Sequence, residues 1–245
     1  MRLKPEFFLG SLANEQNLSF LFVDDGSTDD TLNIINGVIA LYPTQCEVLS
    51  LEDNLGKAEA VRRGIMASLA GSFDNIGYWD ADLATPLDAI RDFCRILDST
   101  DLEMVIGARV RLLGRVIERR ALRHYLGRVF ATCVSVLILR ISIYDSQCGA
   151  KIFKNSNMLK NVFGKPFLVK WVFDVEMFAR FLLFSGSSPV QISTRWIEYP
   201  LVEWSDVKGS KLKGKKFIWA AFEVFVLIFY LCTPARRGYK KYLLG

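Results

Sequence analysis

Residues 18–31 read LSFLFVDDGSTDDT, a short apolar run that passes without a break into two carboxylates and a glycine-bearing turn. An apolar run of this length bounded by turn residues predicts a buried strand over Leu18–Val23. Helical spacing follows, because Leu32, Ile35, Ile39 and Tyr42 share one face of Thr31–Tyr42. The pattern then repeats. Cys46–Leu51 reads as a second strand, Lys57–Leu69 as a helix presenting Ala58, Val61, Ile65 and Leu69, and Ile76–Trp79 as a short third strand. Thr85 and Pro86 suggest an N-cap and first-turn proline for a helix whose inner face carries Ile90, Phe93, Cys94 and Leu97, and Met104–Gly107 is a fourth strand. Such alternation predicts an α/β fold with a mixed, mostly parallel sheet and flanking helices. Ligands of these sheets bind at the carboxyl ends of the strands.

The polar residues fall at those ends. LSFLFV runs into Asp24-Asp25-Gly26-Ser27-Thr28-Asp29, and the third strand runs into Asp80-Ala81-Asp82. An Asp-x-Asp at a strand end lets two carboxylates approach one hard divalent cation that keeps open positions for a diphosphate. The same carboxylates also suit an ordinary acidic turn, and Asp24 and Asp25 could serve the N-terminus of the following helix.

Composition limits the alternatives. The 245 residues are 51% hydrophobic and 23% charged, with a formal charge of +5, which excludes a disordered or collagenous chain. Five scattered cysteines without a CxxC pair suggest neither a disulfide framework nor a zinc site, and fit a reducing compartment. The single histidine, His124, gives little support to Ser-His-Asp chemistry. Positive charge is unevenly placed. Seven arginines stand between Val105 and Arg128 against one acid, Glu118, and five lysines between Lys208 and Lys216, with Arg236, Arg237, Lys240 and Lys241 near the end. Apolar runs follow the first two clusters, at Val129–Leu139 and Phe217–Cys232. Both are shorter than the roughly 20 apolar residues of a membrane span, so they read as interfacial or core helices flanked by headgroup-binding cations. Nucleic acid is disfavoured, since no zinc-finger or RNP motif accompanies the basic arms.

Taken together and in order, FVDDGSTDDT (22–31), NLGKAEAVRRGI (54–65) and YWDADLATP (78–86) resemble the inverting family 2 glycosyltransferases of the GT-A fold. IGARV (106–110), RRALRHYLGRVF (119–130), YDSQCGAKIF (144–153), WVFDVEM (171–177) and VEWSDVKGSKL (202–212) narrow the resemblance to the polyprenyl- and dolichyl-phosphate hexosyltransferases, above all the β-glucosyltransferase type. The resemblance implies a Rossmann-like domain over residues 1–212 and a basic, apolar, membrane-associating segment over 213–245. It implies transfer of a hexose, glucose from UDP-glucose in the first place, to a polyprenyl phosphate with inversion. GDP-mannose is the rival donor, and a catalytically inactive nucleotide- or lipid-binding form is the rival outside catalysis.

Carried onto this chain, the resemblance makes Asp24 or Asp25 the contact to base and ribose, with Lys57 and Asp80 also on the nucleotide-sugar side. Asp80 and Asp82 match the metal motif for Mg or Mn, with Asp82 and Asp145 as catalytic-site carboxylates. Arg109, Arg123 and Lys211 match the acceptor-phosphate contacts. Asp174 and Glu176 are further candidate carboxylates, with ion pairs to Lys151, Lys170 or Arg180 as the alternative; Cys148 reads as packing. Relatives often carry a polar residue two positions after the metal motif, where this chain has Ala84. They also open with an apolar strand ending in a Pro-x-Tyr-Asn-Glu-like motif, whereas MRLKPEFFLGSLANEQ reads as the helix after it. The expectation is a start upstream or a truncated, inactive form. The partners implied are a nucleotide sugar, a polyprenyl phosphate lipid and the anionic surface of a membrane, bound peripherally on its cytoplasmic face through residues 217–232. Oligomeric state is left open.

Overall fold

The structure is a computed structural model that describes residues 3–118, 130, 134–205 and 214–245, the side chains of 214–218 excepted. The chain forms α1 (Pro5–Asn14), β1 (Phe20–Asp24), α2 (Thr31–Leu41), β2 (Cys46–Ser50), α3 (Lys57–Ser68) and β3 (Asn75–Trp79). Then come α4 (Ala89–Ser99), β4 (Met104–Ala108), β5 (Val116–Glu118), a π-helix over Val134–Leu139, β6 (Ala150–Lys154) and α5 (Asn157–Phe163). It continues with α6 (Phe173–Ser185), α7 (Pro189–Ser193), β7 (Trp196–Pro200), β8 (Glu203–Ser205), α8 (Gly214–Cys232) and α9 (Ala235–Leu244). From β1 to β4 the boundaries differ from the sequence reading by a residue or two, as in β1, which runs Phe20–Asp24 rather than Leu18–Val23, and by more only at α4, which begins at Ala89 rather than Pro86. The segment before it is turned inward: Thr85 is buried and its carbonyl accepts from Trp79 Nε1 at 2.8 Å, so it belongs to the loop after β3 and not to a helix cap.

Among the described residues, three of the five strand ladders are parallel. β1 pairs β2 in parallel, from Phe20 opposite Cys46 to Asp24 opposite Ser50, with α2 as the crossover. The larger sheet has the order β3-β6-β4-β7. Its β6 runs antiparallel to both neighbours, so the loop that enters β6 emerges at the edge where β3 and β4 end. That reversal brings residues 144–149 to the functional edge. β1 and β3 each carry a ladder on one side only, and α3 packs across both.

Apolar packing divides at the sheet. Phe93 and Leu97 of α4, both fully buried, pack with Val105, Ala150 and Ile152 on one side, as their period in the sequence requires. Burying each such side chain contributes about 1.5–3 kcal/mol. On the other side, α6 lies among Ile106, Phe153 and Phe163, and the last two helices join it. Leu227 and Leu231 of α8 and Tyr239 and Leu243 of α9 are buried in this cluster. Glu223, the one acid in the apolar run of α8, accepts from the backbone N–H groups of Lys170 (3.1 Å), Trp171 (2.8 Å) and Val172 (2.9 Å). It thereby satisfies the donors of Val172, the N-cap of α6, and of the two residues before it.

A buried polar cluster fixes α9 to α6. The Arg180 guanidinium donates to Glu176 Oε1 and to the carbonyls of Val162 (2.8 Å), Lys165 (2.7 Å) and Pro166 (2.6 Å). Its Nε also donates to Tyr239 Oη at 2.9 Å, and that hydroxyl donates to Glu176. Burial, reinforced by the Glu176 charge, pushes the phenol well above its ordinary range. Removing one member leaves buried charge short of a partner. Tyr239→Phe is therefore expected to lower stability by about 1–3 kcal/mol, measured by urea unfolding; an unchanged midpoint would contradict the role given to the hydroxyl.

Candidate active site

Two acidic loops meet through one lysine. At the end of β1, Asp24 is buried; its Oδ2 accepts from the Ser27 N–H at 3.2 Å, while Oδ1 has no hydrogen-bond partner among the described residues. A buried carboxylate oxygen of this kind calls for a donor that the described residues do not supply. The neighbouring Asp25 accepts from the Leu55 N–H (2.8 Å) and the Gly56 N–H (2.9 Å), drawing the 54–56 turn onto the strand end. Gly26 makes this possible, since its φ of 67° lies in the left-handed region and a Cβ there would sit 2.9 Å from the Asn54 nitrogen. The turn launches α3, whose first residue, Lys57, reaches across to Asp80 with Nζ 2.6 Å from Oδ1. Burial pulls the Lys57 ammonium down, but Asp80 and Asp174 more than offset it, so its pKa lies above the ordinary lysine value.

The Asp80-Ala81-Asp82 segment is a tight turn. Asp80 donates its N–H to the Gly149 carbonyl (2.8 Å), the Leu83 N–H returns to the Asp80 carbonyl (3.0 Å), and the Ala84 N–H donates to Asp82 Oδ1 (3.1 Å). Leu83 takes a φ of 54°, a conformation that costs a non-glycine residue about 1–2 kcal/mol and that these bonds sustain. Gly149 lies against the Asp80 carboxylate so closely that a Cβ at that position would collide with it. Among the described residues no group of three His, Cys, Asp or Glu side chains could hold a metal by itself. Asp80 and Asp82 nonetheless offer hard carboxylate oxygens on one turn, which suits a Mg or Mn ion whose remaining ligands are phosphate and water oxygens. The donor set fits such an ion as a partial shell.

A second pole lies beyond the end of β4. Arg109 follows that strand directly, and its Nε and Nη2 each donate to one oxygen of Asp145 at 2.6 Å, while its backbone N–H donates to Asp145 Oδ2 at 3.0 Å. Trp204 of β8 stacks over the guanidinium with 5.3 Å from Cζ to the ring centroid. Burial pulls the Arg109 pKa down and the Asp145 charge more than reverses it. Asp145 is held in turn by Glu198 of β7, whose carboxylate accepts from the Tyr144 N–H (2.8 Å) and the Asp145 N–H (2.7 Å). Burial raises the Glu198 pKa against those two hydrogen bonds.

Under the loop between the poles lies a buried ion pair. Lys151, fully buried, donates to Asp174 Oδ1 and to the Cys148 carbonyl, both at 2.6 Å. Tyr78 donates its hydroxyl to the same Asp174 oxygen, and burial followed by the Asp174 charge raises its pKa well above the usual phenol value. Strand register puts Tyr78 opposite Lys151, Lys151 opposite Ile106, and Ile106 opposite Glu198, so these side chains form one row across the sheet.

The structure thus brings together Asp24, Asp25, Lys57, Asp80 and Asp82 around one loop cluster and joins Arg109 to Asp145 beside it. Arg123 and Lys211, and with them His124, lie outside the described residues. Glu176 is corrected: it is fully buried in the Arg180–Tyr239 cluster and serves packing. Asp174 is likewise buried, paired with Lys151, so it supports the site from beneath rather than facing a ligand. Cys148 is fully buried with its thiol pushed up to about 11 by burial, in keeping with packing and not nucleophilic attack. Sequence reasoning missed Tyr78, Gly149, Glu198 and Trp204 and knew Lys151 only as a possible ion-pair partner. A charge inside AKIFK (150–154) or WIEYP (196–200) carries no signal in the sequence that it will be covered.

The comparisons with known proteins agree with this architecture. The family described as glycosyl transferase family 2 matches residues 7–153. The dolichyl-phosphate beta-glucosyltransferase of Dictyostelium discoideum is 31% identical over 198 residues, covering 78% of this chain and 56% of that protein. The protein of the same name from Saccharomyces cerevisiae is 32% identical, covering 78% and 58%. The chain therefore spans less than two thirds of the length of these relatives. Among solved structures, the mannosyltransferase PcManGT from Pyrobaculum calidifontis, in complex with GDP-Man and Mn2+, shares the fold with a TM-score of 0.52 at 16% identity, over 90% of this chain and 59% of that one. With the matched region covering more than half of its length and the acidic loops at the strand ends where that architecture needs them, the chain belongs to glycosyltransferase family 2.

Proposed function

We propose that this chain transfers glucose from UDP-glucose to a polyprenyl or dolichyl phosphate, inverting the anomeric carbon. The observation that carries the reading is the pairing of two poles at the carboxyl ends of β1, β3 and β4. An acidic pole around Asp24, Asp80 and Asp82 suits a nucleotide diphosphate with a divalent cation, and a cationic pole at Arg109 suits a phosphate. The names of the relatives in Dictyostelium and yeast support both the acceptor and the sugar.

The division of labour follows from the acceptor. A phosphate oxygen is ionised near neutral pH, so it needs alignment more than a strong general base. Arg109 has five N–H donors, of which two are engaged with Asp145. The others suit a phosphate oxygen, and the Asp145 fork keeps the guanidinium plane fixed while they do so. On the donor side the unpartnered Asp24 oxygen suits a hydrogen-bond donor of the nucleotide, and Lys57 is placed to neutralise phosphate charge. Asp80 and Asp82 would hold a Mg or Mn ion, which would supply positive charge for the leaving diphosphate.

The membrane surface belongs to the same proposal. No single described helix is long and apolar enough to cross a membrane, and α8 and α9 meet at a bend of 89°. Trp219, Phe222, Phe225 and Phe229 form a stripe on α8 at helical spacing, each more than half exposed. Exposed Arg236, Arg237, Lys240 and Lys241 follow on α9. Aromatic side chains beside cations suit an anionic lipid interface, on the cytoplasmic face of a membrane that would present the lipid phosphate.

Labelled UDP-glucose incubated with short-chain polyprenyl phosphate is expected to give labelled polyprenyl phosphoglucose, with GDP-mannose turned over far more slowly. Asp82→Asn should cut that turnover by about two orders of magnitude; equal use of both donors, or no product from folded protein, would overturn the assignment. In flotation, the chain should rise with anionic liposomes at low salt, and replacing Phe222 and Phe225 by serine should leave it at the bottom of the gradient. A wild-type chain that stays at the bottom would contradict the docking surface.

A further inference from the structure

The loop from Tyr144 to Gly149 spans the distance between the two poles: Asp145 grips Arg109 at one end and Gly149 backs Asp80 at the other. It is anchored at its ends by charged side chains rising from the sheet row beneath. Glu198 takes the N–H groups of Tyr144 and Asp145, and the Lys151 ammonium takes the carbonyl of Cys148. Between these anchors, Ser146 Oγ and Gln147 Nε2 are buried and make no hydrogen bond among the described residues. Side chains thus anchor the backbone of this loop through Glu198 at its start and Lys151 near its end.

The chemistry of the first anchor is specific. Two successive backbone N–H groups need two acceptors pointing the same way, and an ionised carboxylate is acceptor-only at both oxygens. An amide would offer one acceptor and set its own donor against the other N–H. Glu198 is also well placed to act at Arg109, because its strand β7 lies in register beside β4 and Arg109 is the first residue after β4.

We propose that Glu198 is a positioning residue that tunes acceptor-phosphate affinity: it fixes the Tyr144–Asp145 backbone so that Asp145 locks the Arg109 fork in the plane that receives the phosphate. This rests on the reading of the site as a polyprenyl-phosphate transferase. It adds to that reading a control of acceptor binding that is separate from donor binding, since no contact of Glu198 given above reaches Asp24, Lys57 or Asp82.

The test is steady-state kinetics on the full chain with UDP-glucose and a short-chain polyprenyl phosphate, comparing wild type with Glu198→Gln and Glu198→Asp. Loss of the double acceptor in Glu198→Gln should raise the acceptor KM about tenfold, with the donor KM within about twofold and kcat at saturating acceptor nearly unchanged. In an Asp145→Asn background the same substitution should have little further effect, because both changes release one fork. Thermal unfolding is followed alongside. Should Glu198→Gln not fold, Glu198→Asp decides, since it keeps the charge but shortens the reach and should raise the acceptor KM alone. An unchanged acceptor KM in a folded variant, or acceptor and donor KM rising together, would overturn the positioning role while leaving the transferase intact. A folded wild type that turns over no acceptor would instead overturn the transferase reading, and the proposal with it.

Discussion

The ammonium of Lys151 has no access to water, and the site is arranged around that fact. An isolated charge in such a place would be lost to deprotonation or would unfold its surroundings, so it must be paired and fully hydrogen-bonded. Asp174 supplies the charge, Tyr78 shares the same carboxylate oxygen, and the Cys148 carbonyl takes another N–H. Through that carbonyl the buried pair reaches the 144–149 loop. A requirement of electrostatics in the core thereby becomes a constraint on the geometry of the edge above it.

The topology makes the constraint useful. Were β6 parallel to β3 and β4, the loop before it would open at the opposite edge of the sheet, and neither Asp80 nor Arg109 would have it as a neighbour. Because β6 runs the other way, its entry loop is threaded between the ends of two parallel strands. Asp80 and Arg109 follow those strands directly. Two groups of opposite charge are thus held near each other without neutralising each other, since each already has a partner: Lys57 for Asp80 and Asp145 for Arg109. On the proposed function, the site has to bring the negative charges of a nucleotide diphosphate and a phosphate acceptor together, and this arrangement distributes the compensating groups along the strand ends.

Much of this was legible in the chain. The strand that ends in Asp24 and Asp25, and the one that ends in Asp80 and Asp82, show themselves because β-prone runs stop at carboxylates; that they fall in two separate sheets, joined by α3 packing across both, is not visible in the alternation. Arg109 was named by the family resemblance, one of seven arginines in its stretch, and its partner Asp145 lies 36 residues away, so that only folding pairs them. Lys151 and Glu198 were obscure for a different reason. One charge within a strand looks like part of a solvated face, and what covers Lys151 here is a loop and a helix that the strand itself does not encode. Glu223 interrupts an otherwise apolar run, and its role comes only from folding, which brings the N–H groups before α6 to its carboxylate. The Thr85–Pro86 helix start failed because Thr85 takes part in the turn around Trp79, a tertiary contact that overrides local capping preference.

Calorimetric titration of UDP and GDP, each with and without Mn2+, into the wild type and Asp80→Asn most directly tests the claim that the acidic edge is a nucleotide-sugar site. The account predicts UDP binding that Mn2+ tightens, weaker binding of GDP, and loss of the Mn2+ effect in Asp80→Asn. Folded protein that binds neither nucleotide, or binds both with no response to Mn2+ or to the substitution, would contradict it.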